Sequence, residues 1–442
     1  MSFRRGGFPV GGNTLNPKIM SIVEKYDQVA QCNRCGFCQV ACPIFRSTGH
    51  ESGVARGRLA LLRAIIENRL DWSKDIEEPL FDCLLCGACT ANCFPAIPTS
   101  DLVIKARSEY LEKVGRKSIH RLLFDQLLPY PRRLHMAARA AALGKNTGLS
   151  SLTRALGLLR IFGRDFPNAE EIIERLPPTP FRDKNKPGIY DGSGEGLQVG
   201  YFVGCGVDII SQDAGIATLK LLRNRVKTVH ILDNCCCGLP AWSYGDIEAA
   251  RKLAGKNLEI LSSKKIEFIV TDCSSCASFL KKYPDIFPDD DKRHAQAELI
   301  SDKALDMVQW LFSSNLPAVT PDNPVTVTYH DPCHASRGQG LTNEPRDILK
   351  KLPGVEYVEL PEADWCCGGA GSYALSHYEL SRKVLDRKMN NVKQTGADLL
   401  VTSCPACMIQ LSYGVRKHGL KTQVCHISEL IRSGFKTPSN VR

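Results

Sequence analysis

Eight cysteines fall into two runs with one spacing, Cys32-Cys35-Cys38-Cys42 and Cys83-Cys86-Cys89-Cys93, each read as C-x2-C-x2-C-x3-C. The first three cysteines of such a run grip three irons of a cubane 4Fe–4S cluster from one tight loop. The fourth lies a helical turn further on, displaced enough to reach the neighbouring cluster. The spacing therefore predicts one cubane on Cys32, Cys35, Cys38 and Cys93, and a second on Cys83, Cys86, Cys89 and Cys42. Pro43 directly follows the fourth cysteine of the first run, whereas Phe94 intervenes before Pro95 in the second. Zinc is the competing reading, but zinc sites usually come as two separated cysteine pairs. The spacing implies one-electron chemistry.

The chain has 442 residues, enough for two or three domains. It contains no apolar run long enough to span a membrane. Arg4 and Arg5 are followed by Phe8-Pro9-Val10-Gly11-Gly12-Asn13, which supplies no apolar core for an export signal. Twenty cysteines in such a chain argue for metal ligation over a disulfide framework, and for a cytoplasmic location. The net charge of +10 is uneven: between Arg116 and Arg164 ten Lys or Arg face one acid, Asp125.

Residues 1 to about 16 read as a loose leader. Helical periodicity is expected over Lys18–Val29, Gly53–Leu70 and Asp101–Val114, the last capped by Thr99 or Ser100. In the second of these, Val54, Leu59, Leu62, Ile65, Ile66 and Leu70 share a face, with Arg56, Arg58, Arg63 and Glu67 largely elsewhere. Cys42 and Cys83 are 41 positions apart, too wide for a compact two-cluster ferredoxin, so a helical ferredoxin-type domain is expected. The basic stretch 116–164 is helix-prone, broken at Pro129 and Pro131, with apolar patches at Leu152, Leu156, Leu158, Leu159, Ile161 and Phe162. Pro177 to Gly196 reads as a linker.

Past that linker the chain repeats itself. Strand-like Val199–Val203 leads to Cys205, and Val325–Tyr329 leads through His330-Asp331-Pro332 to Cys333. Cys236-Cys237-Gly238 answers to Cys366-Cys367-Gly368, and Cys273-x2-Cys276 to Cys404-x2-Cys407. The five matching cysteines are offset by 128, 130, 130, 131 and 131 positions. Strands alternate with helical stretches (Ile247–Leu261 and Tyr378–Val392), so each copy should be α/β. Strand ends in such sheets gather ligands. Adjacent cysteines suit thiolates pointing at two different irons, and Gly238, Gly368, Gly369 and Gly371 would let backbone N–H groups approach a cofactor's sulfides. Buried structural cysteine explains one or two of these ten positions, but not ten in register.

These residues resemble the cysteine-rich "CCG" iron–sulfur oxidoreductases: the glycolate oxidase iron–sulfur subunit, the related subunit of anaerobic glycerol-3-phosphate dehydrogenase, and heterodisulfide reductase. The segment Trp365-Cys-Cys-Gly-Gly-Ala-Gly-Ser-Tyr373, running on to Asp386-Arg-Lys-Met389, is similar to the glycolate oxidase subunit, as is Arg56-Gly57-Arg58. Glycolate oxidase-type subunits often keep only part of the terminal C-x2-C pairs, whereas both are intact here, as in heterodisulfide reductase. The resemblance implies one or two further 4Fe–4S clusters, noncubane in type. One set would be Cys205, Cys236, Cys237, Cys273 and Cys276, the other Cys333, Cys366, Cys367, Cys404 and Cys407. Cys235 and Cys425 are left over, and register favours Cys236 over Cys235.

The implied architecture is α plus α/β: a helical ferredoxin-type domain (17–115), a basic helical connector and linker (116–196), then two tandem CCG modules (197–320 and 321–435) facing one another. The implied role is an electron-transfer subunit. A FAD-containing partner would oxidise a small 2-hydroxy acid, and a quinone, an electron-transfer flavoprotein or a membrane protein would accept the electrons. No flavin or nicotinamide site is expected in the chain: Gly192-Ser-Gly-Glu-Gly196 precedes a strand instead of following one. The rival is a heterodisulfide reductase-like subunit that cleaves a disulfide at its noncubane clusters. Residues 116–164 could touch the inner face of the cell membrane or serve only as a solvated connector. No nucleic-acid partner is expected. His330 and His334 flank Cys333 and are candidates for hydrogen bonding to cluster sulfur or for proton relay, with packing as the alternative. Trp242 and Trp365 are expected to shield the CCG turns from water.

Overall fold

The computed structural model describes residues 21–155, 157, 165–289, 291–314 and 324–433. The expected loose leader and several apolar positions of the basic stretch, Leu156 to Phe162 among them, lie outside these residues.

Around the two cysteine runs the chain is all helix. Tyr26–Ala30 precedes the first run, Phe37–Ala41 and Pro43–Thr48 follow its loop, and Ala55–Ile66 crosses to the second run. Ala88–Ala91 and Thr99–Val114 complete the unit. Leu59, Leu62 and Ile65 of the crossing helix bury against Leu102, Ala106 and Tyr110 of the last one, as their shared face predicts. Three details depart from expectation. The last helix opens at Thr99 with Pro98 in the capping position, so neither Thr99 nor Ser100 caps it. The crossing helix stops at Ile66, Asn68 takes a left-handed turn, and Leu70 is exposed. Arg58 is buried rather than solvent-facing, its Nε donating to the Pro79 carbonyl at 2.5 Å.

The connector forms helices Ser118–Leu122 and Pro131–Asn146, the second opening on Pro131 where the sequence marks a break. Much of its basic charge is matched internally. Lys117 pairs with Glu77 at 2.6 Å, Arg139 with Asp183 at 2.6 Å, Arg116 with Asp125 and Asp246, and Lys145 with Glu170. A buried clamp fastens it to the next unit. Asp208 accepts from Arg182 Nε (2.9 Å), Arg182 Nη2 (2.8 Å) and the Arg182 backbone N–H (3.0 Å), and meets His135 Nε2 at 2.7 Å.

The remainder is two α/β units. In the first, strands β1 (Gly188–Asp191), β2 (Gln198–Tyr201), β3 (Thr228–Ile231), β4 (Phe268–Thr271) and β5 (Ala304–Asp306) lie in the order β1-β3-β2-β4-β5. All pair in parallel except β1, which runs antiparallel to β3. The segment 177–196 is therefore not only a linker: it contributes the edge strand β1 and a turn of helix at Phe181–Lys184. In the second unit, β6 (Val325–Tyr329), β7 (Val355–Tyr357), β8 (Leu399–Thr402) and β9 (Gln423–His426) are all parallel in the order β7-β6-β8-β9. That is the order β3-β2-β4-β5 over again, so the sequence repeat is a structural one.

The two units share continuous apolar cores and face each other across their cysteine turns: the Ser274 backbone N–H donates to the Ser403 carbonyl at 3.1 Å, and the two serine Oγ atoms are 2.9 Å apart. Among the described residues no helix is long and apolar enough to cross a membrane.

Candidate metal centres

The two cysteine loops of the helical unit are built alike. In each, the residue before the second cysteine and the glycine after it take left-handed backbone: Arg34 (φ 54°) and Gly36 (φ 91°), then Leu85 (φ 53°) and Gly87 (φ 73°). Such turns curl a short loop so that its thiols converge, and a non-glycine residue held there costs about 1–2 kcal/mol. The same left-handed residues stand at matching positions of both loops. Cys32, Cys35, Cys38, Cys89 and Cys93 line one surface cavity. Cys42 is buried, and the charges that act on its thiol include those of Cys86 and Cys83; Cys89 in turn feels Cys83, Cys86 and Cys42. Burial, reinforced by these neighbours, pushes the Cys89 thiol up to about 12. The folded chain thus brings the fourth cysteine of each run to the loop of the other.

Two buried arginines sit beside the second group: Arg58, from the Arg56-Gly57-Arg58 segment that resembles the glycolate oxidase subunit, and Arg107, which carries no sequence signal. Arg107 is buried and donates from Nη2 to the carbonyls of Cys83 (2.7 Å) and Leu80 (2.8 Å), so it pins the loop. Arg58 Nη2 is buried without a partner. Burial opposes its charge, but Cys83, Cys42 and Cys89 outweigh that and hold its pKa up. An orphaned guanidinium N–H beside four converging thiols fits an anionic cluster.

In both α/β units, the chain order reverses between the strand pair β2/β4 or β6/β8, and the crevice at such a switch point is where ligands bind. Cys205 and Cys273 follow β2 and β4; Cys333 and Cys404 follow β6 and β8. Gly204 permits the approach, since a Cβ there would lie 3.3 Å from Cys276 Sγ and from Cys273 Cβ. Gly238 (φ 106°) and Gly368 (φ 84°) turn the chain after each cysteine pair, and the Gly368 N–H points at Cys366 Sγ, 3.5 Å away. Gly369 packs against Gln410 Cβ and lies close to Cys367 Sγ.

The ten thiols form one array. Cys205 contacts Cys236, then Cys236 contacts Cys237, Cys237 contacts Cys276, and Cys276 contacts Cys273. Cys273 reaches across to Cys404 of the second unit. From there the contacts run Cys404–Cys407, Cys407–Cys367, Cys367–Cys366 and Cys366–Cys333. Cys366 also touches Cys86 of the helical unit. Cys42, Trp365, Cys366 and Tyr373 share one small core, which seals that junction. Trp242 stacks obliquely on Phe279 at 5.9 Å.

The two cysteines outside the expected sets are also outside the array. Cys235 turns its thiol to Asn257 Oδ1 (3.3 Å) and the Leu253 carbonyl (3.5 Å), while Cys425 sits in the apolar core of the sheets. His330 is buried against Cys367 and Cys407, with its ring nitrogen and both sulfurs within 4.8 Å of one another. His334 is held differently: its Nδ1 lies 3.1 Å from Ser275 Oγ, which is 3.3 Å from Cys404 Sγ. Burial depresses its pKa. Ser275 and Arg337, whose Nη1 reaches the Cys86 carbonyl at 3.3 Å, carry no sequence signal.

Comparison with known proteins agrees with this geometry. Residues 199–281 and 327–412 each match the model of a cysteine-rich domain, and residues 28–97 that of a 4Fe–4S dicluster domain. Residues 115–173 match the linker region of the glycolate oxidase iron–sulfur subunit. A probable glycolate oxidase iron–sulfur subunit of Bacillus subtilis is 30% identical over 424 residues, spanning 93% of this chain and 95% of that protein. Lactate utilization protein A of Bacillus cytotoxicus is 30% identical over 239 residues, 54% of this chain and 99% of that protein. A crystal structure of a hypothetical protein from Helicobacter pylori superposes with a TM-score of 0.50 at 8% identity, covering 94% of this chain and 76% of that one, a likeness of fold alone. The chain is an iron–sulfur protein with two cysteine-rich repeats, and it belongs to the family of glycolate oxidase iron–sulfur subunits.

Proposed function

We propose that this chain is the electron-transfer subunit of a FAD-linked dehydrogenase of small 2-hydroxy acids, glycolate or lactate in type. The observation that carries this is the unbroken line of thiol contacts from Cys86 through Cys366 and Cys404 to Cys205. Bound to these residues, clusters would supply one-electron carriers: cubanes on Cys32/Cys35/Cys38/Cys93 and Cys83/Cys86/Cys89/Cys42, and one or two noncubane clusters on the five-cysteine sets. The chain's own residues hold these positions, shield them and set which end meets a partner. Cys35 is the one cysteine of the twenty that is exposed. Apolar Phe37, Val40 and Phe94 stand beside that loop, Phe94 with 92% of its surface free. An apolar rim around the exposed thiol suits the flavoprotein partner, and electrons would enter there and leave toward the CCG units. The matched cations of residues 116–155 favour a structural connector over a membrane-docking face.

The test is to purify the chain anaerobically with its flavoprotein subunit and add glycolate or D-lactate. Bleaching of the iron–sulfur absorbance by either acid is the expected result, with Phe94→Asp slowing it while dithionite bleaches both proteins equally. No bleaching by either acid, with ready oxidation of the dithionite-reduced protein by an organic disulfide, would move the assignment to the disulfide-cleaving class. The contact between complete sets at Cys273 and Cys404 is the observation that keeps this second reading in play.

A further inference from the structure

The two cysteine-rich units are copies in backbone but differ in one buried ring. After β2, the Phe202 backbone N–H donates to the Val270 carbonyl at 2.9 Å; after β6, the His330 N–H donates to the Val401 carbonyl at 2.9 Å. Phe202 and His330 therefore hold the same place, three residues ahead of Cys205 and Cys333 respectively. Phe202 is packed in an apolar core, as a ring without polar atoms should be. His330 is only 1% exposed, and neither of its ring nitrogens has an oxygen or nitrogen partner among the described residues. Leaving a buried polar group unpaired costs about 1–3 kcal/mol, which a phenyl ring at this position would avoid.

What the imidazole does face is sulfur. A ring nitrogen of His330 and the Sγ atoms of Cys367 and Cys407 all lie within 4.8 Å of one another, buried together. The backbone at His330 is fixed on both sides: its carbonyl accepts from Thr402 Oγ1 at 3.2 Å, and the adjacent Asp331 is locked to Arg346 by two bonds of 3.0 and 2.9 Å. The ring is held against the two thiols by its surroundings, and one imidazole nitrogen beside two thiolates is a mixed donor set that suits iron.

We propose that His330 is a nitrogen ligand of the iron held by Cys367 and Cys407, which makes the second unit's centre chemically unlike the first's. This rests on the reading that the second unit holds an iron–sulfur centre. The second unit keeps all five cysteines, so His330 adds a neutral nitrogen donor without displacing a thiolate, and the reduction potentials of the two centres should differ.

Two measurements test this. Pulsed EPR on anaerobically purified protein labelled with 15N-histidine should show one strongly coupled histidine nitrogen, and His330→Phe, which installs the first unit's own residue, should abolish it. In the same variant the potential of one centre should shift while the others and the iron content stay unchanged. Full iron content with no histidine coupling in the parent protein and unaltered potentials in the variant would overturn the assignment and leave the electron-transfer reading standing. Parent protein with only the iron of two cubanes would remove the centre and the assignment together.

Discussion

Replacing Cys42 by serine should cost the protein about four irons, the content of one cubane, and those irons should come from the cluster of the second run. Cys42 belongs to the first run by sequence, but in the fold it is buried, and its thiol feels Cys86 and Cys83. Arg58, whose free Nη2 has no partner but whose charge is supported by Cys83, Cys42 and Cys89, stands beside the same group. A serine hydroxyl is a harder and less acidic donor than a thiol and binds iron of this kind poorly. Iron analysis with EPR of the reduced protein reads the outcome: the spectrum of the Cys32/Cys35/Cys38/Cys93 cluster should persist alone among the cubane signals. Loss of that cluster instead would mean that each run closes on itself, and the crossed assignment would be wrong.

The second large effect lies where the connector meets the helix Cys205–Ile209, whose first residue is one end of the cysteine array. Asp208→Asn should loosen the connector helix Pro131–Asn146 from the first α/β unit. Asp208 is fully buried, and its carboxylate is the common acceptor for Arg182 and His135. Removing one partner from a buried ion pair costs about 3–5 kcal/mol, because the remaining charge stays desolvated. Amide exchange in that helix should accelerate by about a hundredfold or more. Rates unchanged within a few fold would show that packing alone holds the connector.

The same clamp has a defined pH response. Burial lowers the pKa of His135, but the Asp208 bond and the charges of Asp208 and Asp183 outweigh it, so the folded value stands above the ordinary one. That contribution is complete below about 6.5 and fades as pH rises through the raised folded value. Asp208 behaves oppositely: burial raises its pKa, His135 and Arg182 bring it below the usual carboxylate value, and its contribution fades only on strong acidification. The connector should be held most firmly in mildly acidic solution.

Metal chemistry was the most legible part of the chain, because it depends on intervals that survive in one dimension. The two C-x2-C-x2-C-x3-C runs, and five cysteines repeated at offsets of 128 to 131, led to loops and strand ends that the fold brings into one array. Register favoured Cys236 over Cys235, and the fold turns the Cys235 thiol toward Asn257. What stayed hidden was set by tertiary context. β1 is a short, mostly exposed edge strand, so Ile189 and Tyr190 among Pro, Lys and Asp looked like a linker. Arg107 was indistinguishable from a surface cation until its carbonyl partners were in place, and the resemblance that marked Arg58 gave no reason for its burial. The basic stretch looked like a free patch because the acids that answer it, Glu77, Asp183 and Asp246, lie far away in sequence.

Iron and acid-labile sulfide content, measured with EPR on protein purified without oxygen, tests the central claim most directly. The account predicts iron beyond the about eight atoms of two cubanes, reaching about sixteen when both five-cysteine sets are filled, with a signal unlike either cubane. About eight irons with cubane signals alone, in protein reconstituted with excess iron and sulfide, would contradict it and leave the ten CCG cysteines as packing.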